Sequence, residues 1–268
     1  MNKKMIVVDL DGTLLNINQG CSRKAKKYLK QLKDLGYIIV IATGRTLKSA
    51  MDSTDGADFA NYIIASTGAV LYDRDNFKIL MKRSIDIDDV KNICASYNED
   101  VKYIEFGDLY YYHKYMYDGK FNMSVDKKVN DIDEFLDNCE DIFHITFKVR
   151  DNCLINKYYD LLNRDSLSIL VMQDSFSDEK CLEIFGNGIS KYNAINEVMN
   201  RENITSEDVI SFGDGLNDVD MIRMCGIGVA MGNALEEVKA VSNYVTVSHN
   251  DDGVIYFLKK YLNENKFS

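Results

Sequence analysis

Met5-Ile6-Val7-Val8-Asp9-Leu10-Asp11-Gly12-Thr13 decides how the rest of the chain is read. Four consecutive apolar residues, mostly β-branched, describe a short strand buried on both faces, as in a parallel sheet. Two carboxylates two residues apart follow at once. In extended backbone, residues i and i+2 point to the same side, so Asp9 and Asp11 are expected to project together from the strand's carboxyl end, where open α/β sheets bind ligands. Gly12 lets the chain turn sharply. Adjacent carboxylates repel unless a cation or a proton lies between them. An isolated Asp-x-Asp reads more readily as a solvated turn; its position at the end of an apolar strand, followed by Gly12-Thr13, makes it a candidate site.

The same rhythm continues outward. Ser22 is placed to cap a helix carrying Leu29, Leu32 and Leu35, with Gly36 to end it. Tyr37–Ala42 is a second buried run, a short helix follows Thr46, and Tyr62-Ile63-Ile64-Ala65 is a third strand. Strand–helix–strand at this spacing implies a parallel sheet. The pattern returns late in the chain. A helix is expected from Ser190, a strand at Val209–Phe212, a helix from Asn217, a strand at Ile227–Ala230, and helices from about Ala234 and Asp251. Between them the texture changes: the strands Val101–Ile104, Phe143–Phe147 and Ile169–Met172 alternate or carry aromatics, helical patterns occupy about 86–97, 131–139 and 154–163, and tyrosines cluster at 110, 111, 112, 115 and 117. The expected organisation is a core of residues 1–83 plus 188–268, interrupted by an inserted α+β domain at 84–187.

Three further signals fall at strand ends or helix starts. Thr43-Gly44-Arg45 offers a hydroxyl and a free amide beside a glycine, suited to phosphoryl oxygens. Lys191 lies in the first turn of a helix, where a cation is disfavoured unless an anion shares the site. Gly213-Asp214-Gly215-Leu216-Asn217-Asp218 closes a buried strand and opens a helix, bringing Asp214 to the same sheet edge as Asp9 and Asp11. Convergent carboxylates with oxygen-only partners suit Mg²⁺.

Composition narrows the alternatives. The chain has 268 residues, 46% hydrophobic and 28% charged, with no proline or tryptophan. It is long enough to fold without disulfide or metal staples. The formal charge of −10 argues against nucleic acid as a partner and requires any phosphate site to be made locally positive. Six scattered cysteines with no Cys-x-x-Cys pair read as reduced thiols, pointing to the cytoplasm. The run Met5–Val8 is too short for a signal peptide, and no stretch approaches a membrane span. His113, His144 and His249 have neither metal nor triad spacing and read as structural. The expected partner is a small molecule, met by a monomer or weak homodimer.

Taken in order, Asp9-Leu10-Asp11-Gly12-Thr13-Leu14-Leu15, Thr43-Gly44-Arg45, Ser190-Lys191 and Gly213–Asp218 resemble the four motifs of the haloacid dehalogenase (HAD) superfamily of phosphatases. The placement of the insert is similar to the Cof-type, class IIB branch, as are Val229–Ala234 and His249–Val254. One departure stands out: Ser66-Thr67-Gly68-Ala69 occupies the place of the branch's usual Asn-Gly-Ala. The resemblance implies a Rossmann-like parallel-sheet core under an inserted cap that gates the site. It implies Asp9 as nucleophile, forming an aspartyl-phosphate, and Asp11 as general acid and base. Mg²⁺ would be held by the Asp9 carboxylate, the Asp11 backbone carbonyl and Asp214, with Asp218 behind it. Leu10, Thr43, Gly44, Lys191 and Asn217 would surround the phosphoryl oxygens, and Arg45 and Thr67 would meet substrate or cap. The expected activity is Mg²⁺-dependent hydrolysis of small phosphorylated metabolites, such as sugar or cofactor phosphates. A phosphotransferase or hexose-phosphate mutase of the same fold, or a non-catalytic metabolite sensor, are the alternatives. A phospho-receiver domain would be half this length and lack the insert.

Overall fold

The computed structural model describes residues 4–116, 126–173 and 179–264, so Tyr117 of the tyrosine cluster lies outside the described residues. The chain divides into two compact units, residues 1–80 with 190–268, and residues 81–189.

The first unit opens with β1 (Met5–Val8), whose four side chains are completely buried. A wide turn over Leu10–Leu14 leads to α1 (Arg23–Asp34). Ser22 caps this helix, its Oγ accepting from the Ala25 amide at 3.0 Å and donating to Asp252 at 2.7 Å. Ala25, Leu29 and Leu32, spaced by four and three, form its buried stripe. Next come β2 (Ile38–Ala42), α2 (Leu47–Ser53, capped by Thr46), β3 (Tyr62–Ala65), β4 (Val70–Asp73) and β5 (Lys78–Lys82).

The second unit follows as α3 (Ile87–Ala95), β6 (Val101–Gly107), β7 (Tyr112–Tyr115), β8 (Asp126–Lys128), α4 (Ile132–Asn138), β9 (His144–Val149), α5 (Ile155–Leu162), β10 (Leu167–Gln173) and β11 (Lys180–Gly186). The chain then returns to the first unit with α6 (Lys191–Glu202), β12 (Val209–Gly213), α7 (Val219–Met224), β13 (Ile227–Ala230), α8 (Glu236–Val241), β14 (Tyr244–Val245) and α9 (Gly253–Glu264).

The sheet of the first unit has the order β14-β13-β12-β1-β2-β3-β4-β5. The six strands from β14 to β3 pair in parallel, as expected; β4 pairs antiparallel to β3 because only the turn Ser66–Ala69 separates them, too few residues for a crossover. β1 sits between β12 and β2, where strand order reverses, so its carboxyl end opens at the point where such sheets bind ligands. No helix among the described residues is long and apolar enough to cross a membrane, and all six cysteines are unpaired.

In the second unit the sheet order is β10-β11-β9-β6-β7-β8, antiparallel except for the β7–β8 pair. One face carries Ile104, Phe106, Ile145, Phe147, Leu182 and Ile184 against Val90, Ile93, Leu136, Ile155 and Tyr158 of the three helices. Tyr115 belongs to that packing, its ring centroid 4.9 Å from that of Tyr97, whereas Tyr110 is exposed. The alternate residues of β9, namely His144, Thr146 and Lys148, are polar yet buried. Thr146 donates to Glu183 at 2.9 Å, and burial pushes the Glu183 carboxyl up to about 7.

His144 has a measurable consequence. Burial pushes its imidazole from an ordinary 6.5 to about 4. Between those values the unfolded chain binds a proton that the folded chain does not, so this residue's contribution to stability is complete above pH 6.5 and is lost as pH falls toward 4. The full span is worth up to about 3 kcal/mol. Glu183 acts oppositely, favouring the fold at low pH, so the His144 effect is read by difference. Denaturant titrations of wild type and His144→Phe from pH 4 to 7 are expected to show the variant losing less stability in acid; parallel curves refute the assignment.

Candidate active site

Four parallel strands deliver their carboxyl ends to one place: β1 ends before Asp9, β2 before Thr43, β3 before Ser66 and β12 before Asp214. The Asp9 amide prolongs the β1–β12 ladder by donating to the Phe212 carbonyl at 3.1 Å. The backbone then turns, with Gly12 at φ +69° and the Leu15 amide reaching back to the Leu10 carbonyl at 2.8 Å.

Lys191 is the hub. It is 1% exposed, and its Nζ donates to Asp9 Oδ1 at 2.7 Å and to Asp218 Oδ1 at 2.6 Å. The other oxygen of Asp218 accepts from the amides of Asp214 (2.9 Å) and Gly215 (3.0 Å), so Asp218 shapes the loop that presents Asp214. Asp9 Oδ2 makes no hydrogen bond among the described residues. Carboxylate oxygens of Asp9, Asp214 and Asp218 lie within 4.8 Å of one another. Burial raises the Asp9 carboxyl well above the usual range; Lys191 opposes this, and Asp218, Asp214 and Asp11 add to it. Burial and the Asp218 charge push Asp214 up to about 7, against the hydrogen bond from Thr13. For Lys191, burial favours the neutral amine, but the two carboxylates outweigh it and raise its pKa.

One lysine therefore faces three crowded carboxylates, an arrangement short of positive charge. All the unsatisfied donors are oxygens, which fits a hard divalent cation such as Mg²⁺ rather than a thiophilic metal. Asp9 and Asp214 retain more free lone pairs for it than Asp218, which already accepts three hydrogen bonds.

Asp11 departs from the extended-strand expectation. Its carboxylate does not join the cluster; Arg45 grips it from the side, Nε to Oδ2 at 2.7 Å and Nη2 to Oδ1 at 2.6 Å, and the same guanidinium also reaches Gln19. Asp11 is half exposed and still close enough to raise the Asp9 pKa. The turn that starts after Asp9 breaks the i, i+2 alignment.

Around this cluster stand donors. The amides of Leu10 and Gly44 make no bond among the described residues, and the Thr43 hydroxyl accepts from the Arg45 amide at 3.1 Å, leaving its proton free. Thr67 Oγ1 and Asn217 Nδ2 lie 3.5 and 3.7 Å from the point that a Cβ on Gly44 would occupy. Ser66 and Thr67 both adopt left-handed backbone, φ +47° and +55°, which costs roughly 1–3 kcal/mol each for residues with a Cβ.

Two residues with no role in the sequence reading also act here. Thr13 donates to Asp214 Oδ1 at 3.0 Å, and Asn233 donates to the Gly12 carbonyl at 2.8 Å, with its amide 3.4 Å from Asp214 Oδ2. Both lie inside strings quoted above for the resemblance, which was the available signal.

A Cβ at Gly12 would overlap the Asp214 carboxylate, and its positive φ penalises any side chain. Gly12→Ala is expected to displace Asp214 and lower kcat/KM for an ester substrate by about 100-fold while the melting temperature drops by only a few degrees. Phosphate-release kinetics beside thermal unfolding check this; activity within a factor of two of wild type (about 0.4 kcal/mol) contradicts it.

Known proteins resemble this chain over nearly its full length. A family model of haloacid dehalogenase-like hydrolases matches residues 6–258. The chain is 28% identical over 253 residues to the 5-amino-6-(5-phospho-D-ribitylamino)uracil phosphatase YcsE of Bacillus subtilis, covering 94% of this chain and 92% of that protein. It is 29% identical over 267 residues to YitU of the same organism, a phosphatase of the same name, covering 96% and 97%. Among solved structures, the HAD-superfamily phosphatase BT1666 of Bacteroides thetaiotaomicron superposes with a TM-score of 0.81 at 25% identity, covering 97% of this chain and 95% of the other. With the family match spanning nearly every element that builds the site, the chain belongs to the haloacid dehalogenase-like hydrolases and is a phosphatase of their Cof type.

Proposed function

We propose that this chain hydrolyses phosphomonoesters of small polar metabolites with Mg²⁺ as cofactor, and that Asp9 is the nucleophile. The observation that carries the reading is the Asp9–Lys191–Asp218 arrangement beside Asp214. One oxygen of Asp9 is pinned by a buried lysine, the other is unbonded, and the donors Thr43, Gly44 and Asn217 follow the ends of the two strands beside β1.

Asp9 attacks phosphorus, and the bond from phosphorus to the ester oxygen breaks as an aspartyl-phosphate forms. The departing oxygen takes a proton from Asp11. Water then attacks the aspartyl-phosphate and gives its proton to Asp11, releasing orthophosphate and restoring the Asp9 carboxylate. Arg45 orients the Asp11 carboxylate through its two-pronged contact. Lys191, Asn217, the Thr43 hydroxyl and the Leu10 and Gly44 amides face charge that spreads over the phosphoryl oxygens. The Asp9 and Asp214 carboxylates and the Asp11 carbonyl would hold Mg²⁺, which supplies positive charge against those oxygens when bound.

The relatives' substrate name supports placing 5-amino-6-(5-phospho-D-ribitylamino)uracil first in a substrate panel, with sugar, flavin and pyridoxal phosphates beside it. Residues 81–189 are the part we propose sets this choice, and the cytoplasm is the proposed location.

Phosphate release across that panel, with Mg²⁺ and with excess EDTA, tests the reading. Release from at least one ester is expected with Mg²⁺, falling about 100-fold or more in EDTA and returning when Mg²⁺ is added back. Ca²⁺, which tolerates looser coordination, is expected to restore little. Release that persists in EDTA, or no release from any ester, rejects it; release only when an acceptor sugar is present favours phosphotransfer.

A further inference from the structure

We infer that the Thr67 hydroxyl donates a hydrogen bond to a phosphoryl oxygen of the bound ester, and that the strained turn carrying it is kept for that contact; this rests on the phosphomonoester reading above. Three independent features of the turn carry the inference.

The first is conformation. Thr67 is β-branched and sits at φ +55°, ψ +22°, after Ser66 at φ +47° and before Gly68 at φ +110°. Glycine or asparagine would hold this shape with less strain. A threonine kept here therefore needs a reason outside the backbone.

The second is that the backbone alone fixes the turn. The Ser66 amide donates to the Arg45 carbonyl at 2.8 Å, the Thr67 amide to the Thr43 carbonyl at 3.0 Å, and the Ala69 amide to the Ser66 carbonyl at 3.0 Å. Gly68 lies so close to the Ser190 carbonyl that a Cβ would overlap it. These contacts tie the turn to the loop that begins at Thr43 and to the start of α6, which carries Lys191. The Thr67 side chain takes no part in them.

The third is the hydroxyl itself. Thr67 as a residue is 4% exposed and its Oγ1 makes no hydrogen bond among the described residues, but the buried, unpaired hydroxyl of this turn is that of Ser66, not of Thr67. Thr67 Oγ1 is therefore not sealed off, and a ligand can reach its proton. Oγ1 and Asn217 Nδ2 flank the space above Gly44, where the absence of a side chain leaves room beside the unbonded Gly44 amide. A hydroxyl, a carboxamide and a backbone amide bounding one small space form a donor set for an oxyanion.

The test uses Thr67→Val, which keeps the shape and the strain but deletes the donor, and Thr67→Asn, which relaxes the strain and keeps a donor. Inorganic phosphate is the probe, read both as a product inhibitor and by the thermal protection it gives, the latter needing no turnover. For Thr67→Val the expected result is an unchanged melting temperature without phosphate, phosphate affinity weakened about tenfold, and kcat/KM lowered about 100-fold, mainly in kcat. For Thr67→Asn the melting temperature is expected to rise by a few degrees with phosphate affinity retained. Wild-type phosphate affinity in Thr67→Val overturns the inference, and so does a loss confined to KM that varies with the leaving group, which would put the hydroxyl against the organic part of the ester. A wild-type protein inactive on every ester sinks the hydrolase reading instead, a result the thermal measurement keeps separate.

Discussion

Replacing Asp9 by asparagine is expected to abolish phosphate release while leaving the protein as stable as wild type or more so. An amide is no nucleophile toward phosphorus and a poor ligand for a hard cation, so kcat is expected to fall by about 10⁴-fold or more. The stability half of the result follows from the crowding. Burial and three neighbouring carboxylates raise the Asp9 pKa, so its ionised form is less favourable in the folded than in the unfolded chain. That penalty is absent below the unfolded carboxylate pKa and grows as pH rises, and asparagine removes it while still accepting from Lys191. Phosphate release and thermal unfolding at pH 8, without added metal, read the two halves together. Turnover near the wild-type rate rules out Asp9 as nucleophile; lost turnover with a collapsed melting temperature shows only that the residue is needed to fold.

Lys191→Ala is expected to do the reverse to stability. The substitution leaves Asp9 and Asp218 buried without their shared cation, and breaking such a pair costs about 3–5 kcal/mol. For a domain of this size that is a melting-temperature drop of roughly 10 °C. The loss has a pH signature. Without Lys191 the buried Asp9 carboxyl loses the charge that opposes its raised pKa and holds its proton more tightly than in the unfolded chain, so the deficit is small near pH 5 and grows toward pH 8. Melting curves of wild type and variant across that range check it. A uniform deficit at every pH attributes the effect to lost packing of the lysine stem instead. Lys191→Ala combined with Asp218→Asn is expected to recover part of the stability at pH 8 but none of the turnover.

The contrast between these residues shows what could be read before any coordinates. Strands such as Met5–Val8 and Tyr62–Ala65 were legible because burial on both faces leaves an uninterrupted apolar run, and helix starts at Ser22, Thr46 and Ser190 were legible because a capping hydroxyl is a local device. Strands β4, β5 and β11 were not read, since Val70–Asp73, Lys78–Lys82 and Lys180–Gly186 mix polar and apolar residues that only their neighbours organise. The residues of the site were named from their strings, but their pairings were not. Lys191 was expected to face an anionic ligand, and its contacts with Asp9 and Asp218 bridge 182 and 27 residues. Arg45 gripping Asp11 likewise depends on a turn that redirects one carboxylate. Such partnerships belong to tertiary geometry, which no local pattern encodes.

The central position of β1 also governs how the polypeptide comes off the ribosome. Its two neighbours are β2, finished by residue 42, and β12, which does not exist until residue 213 has been made. At ~5–20 residues per second, translation leaves one side of this fully apolar strand without its hydrogen-bonding partner for roughly 10–40 s. An unpaired strand edge is a template for aggregation. The nascent chain therefore carries a fully apolar strand with one unpaired edge through most of its synthesis.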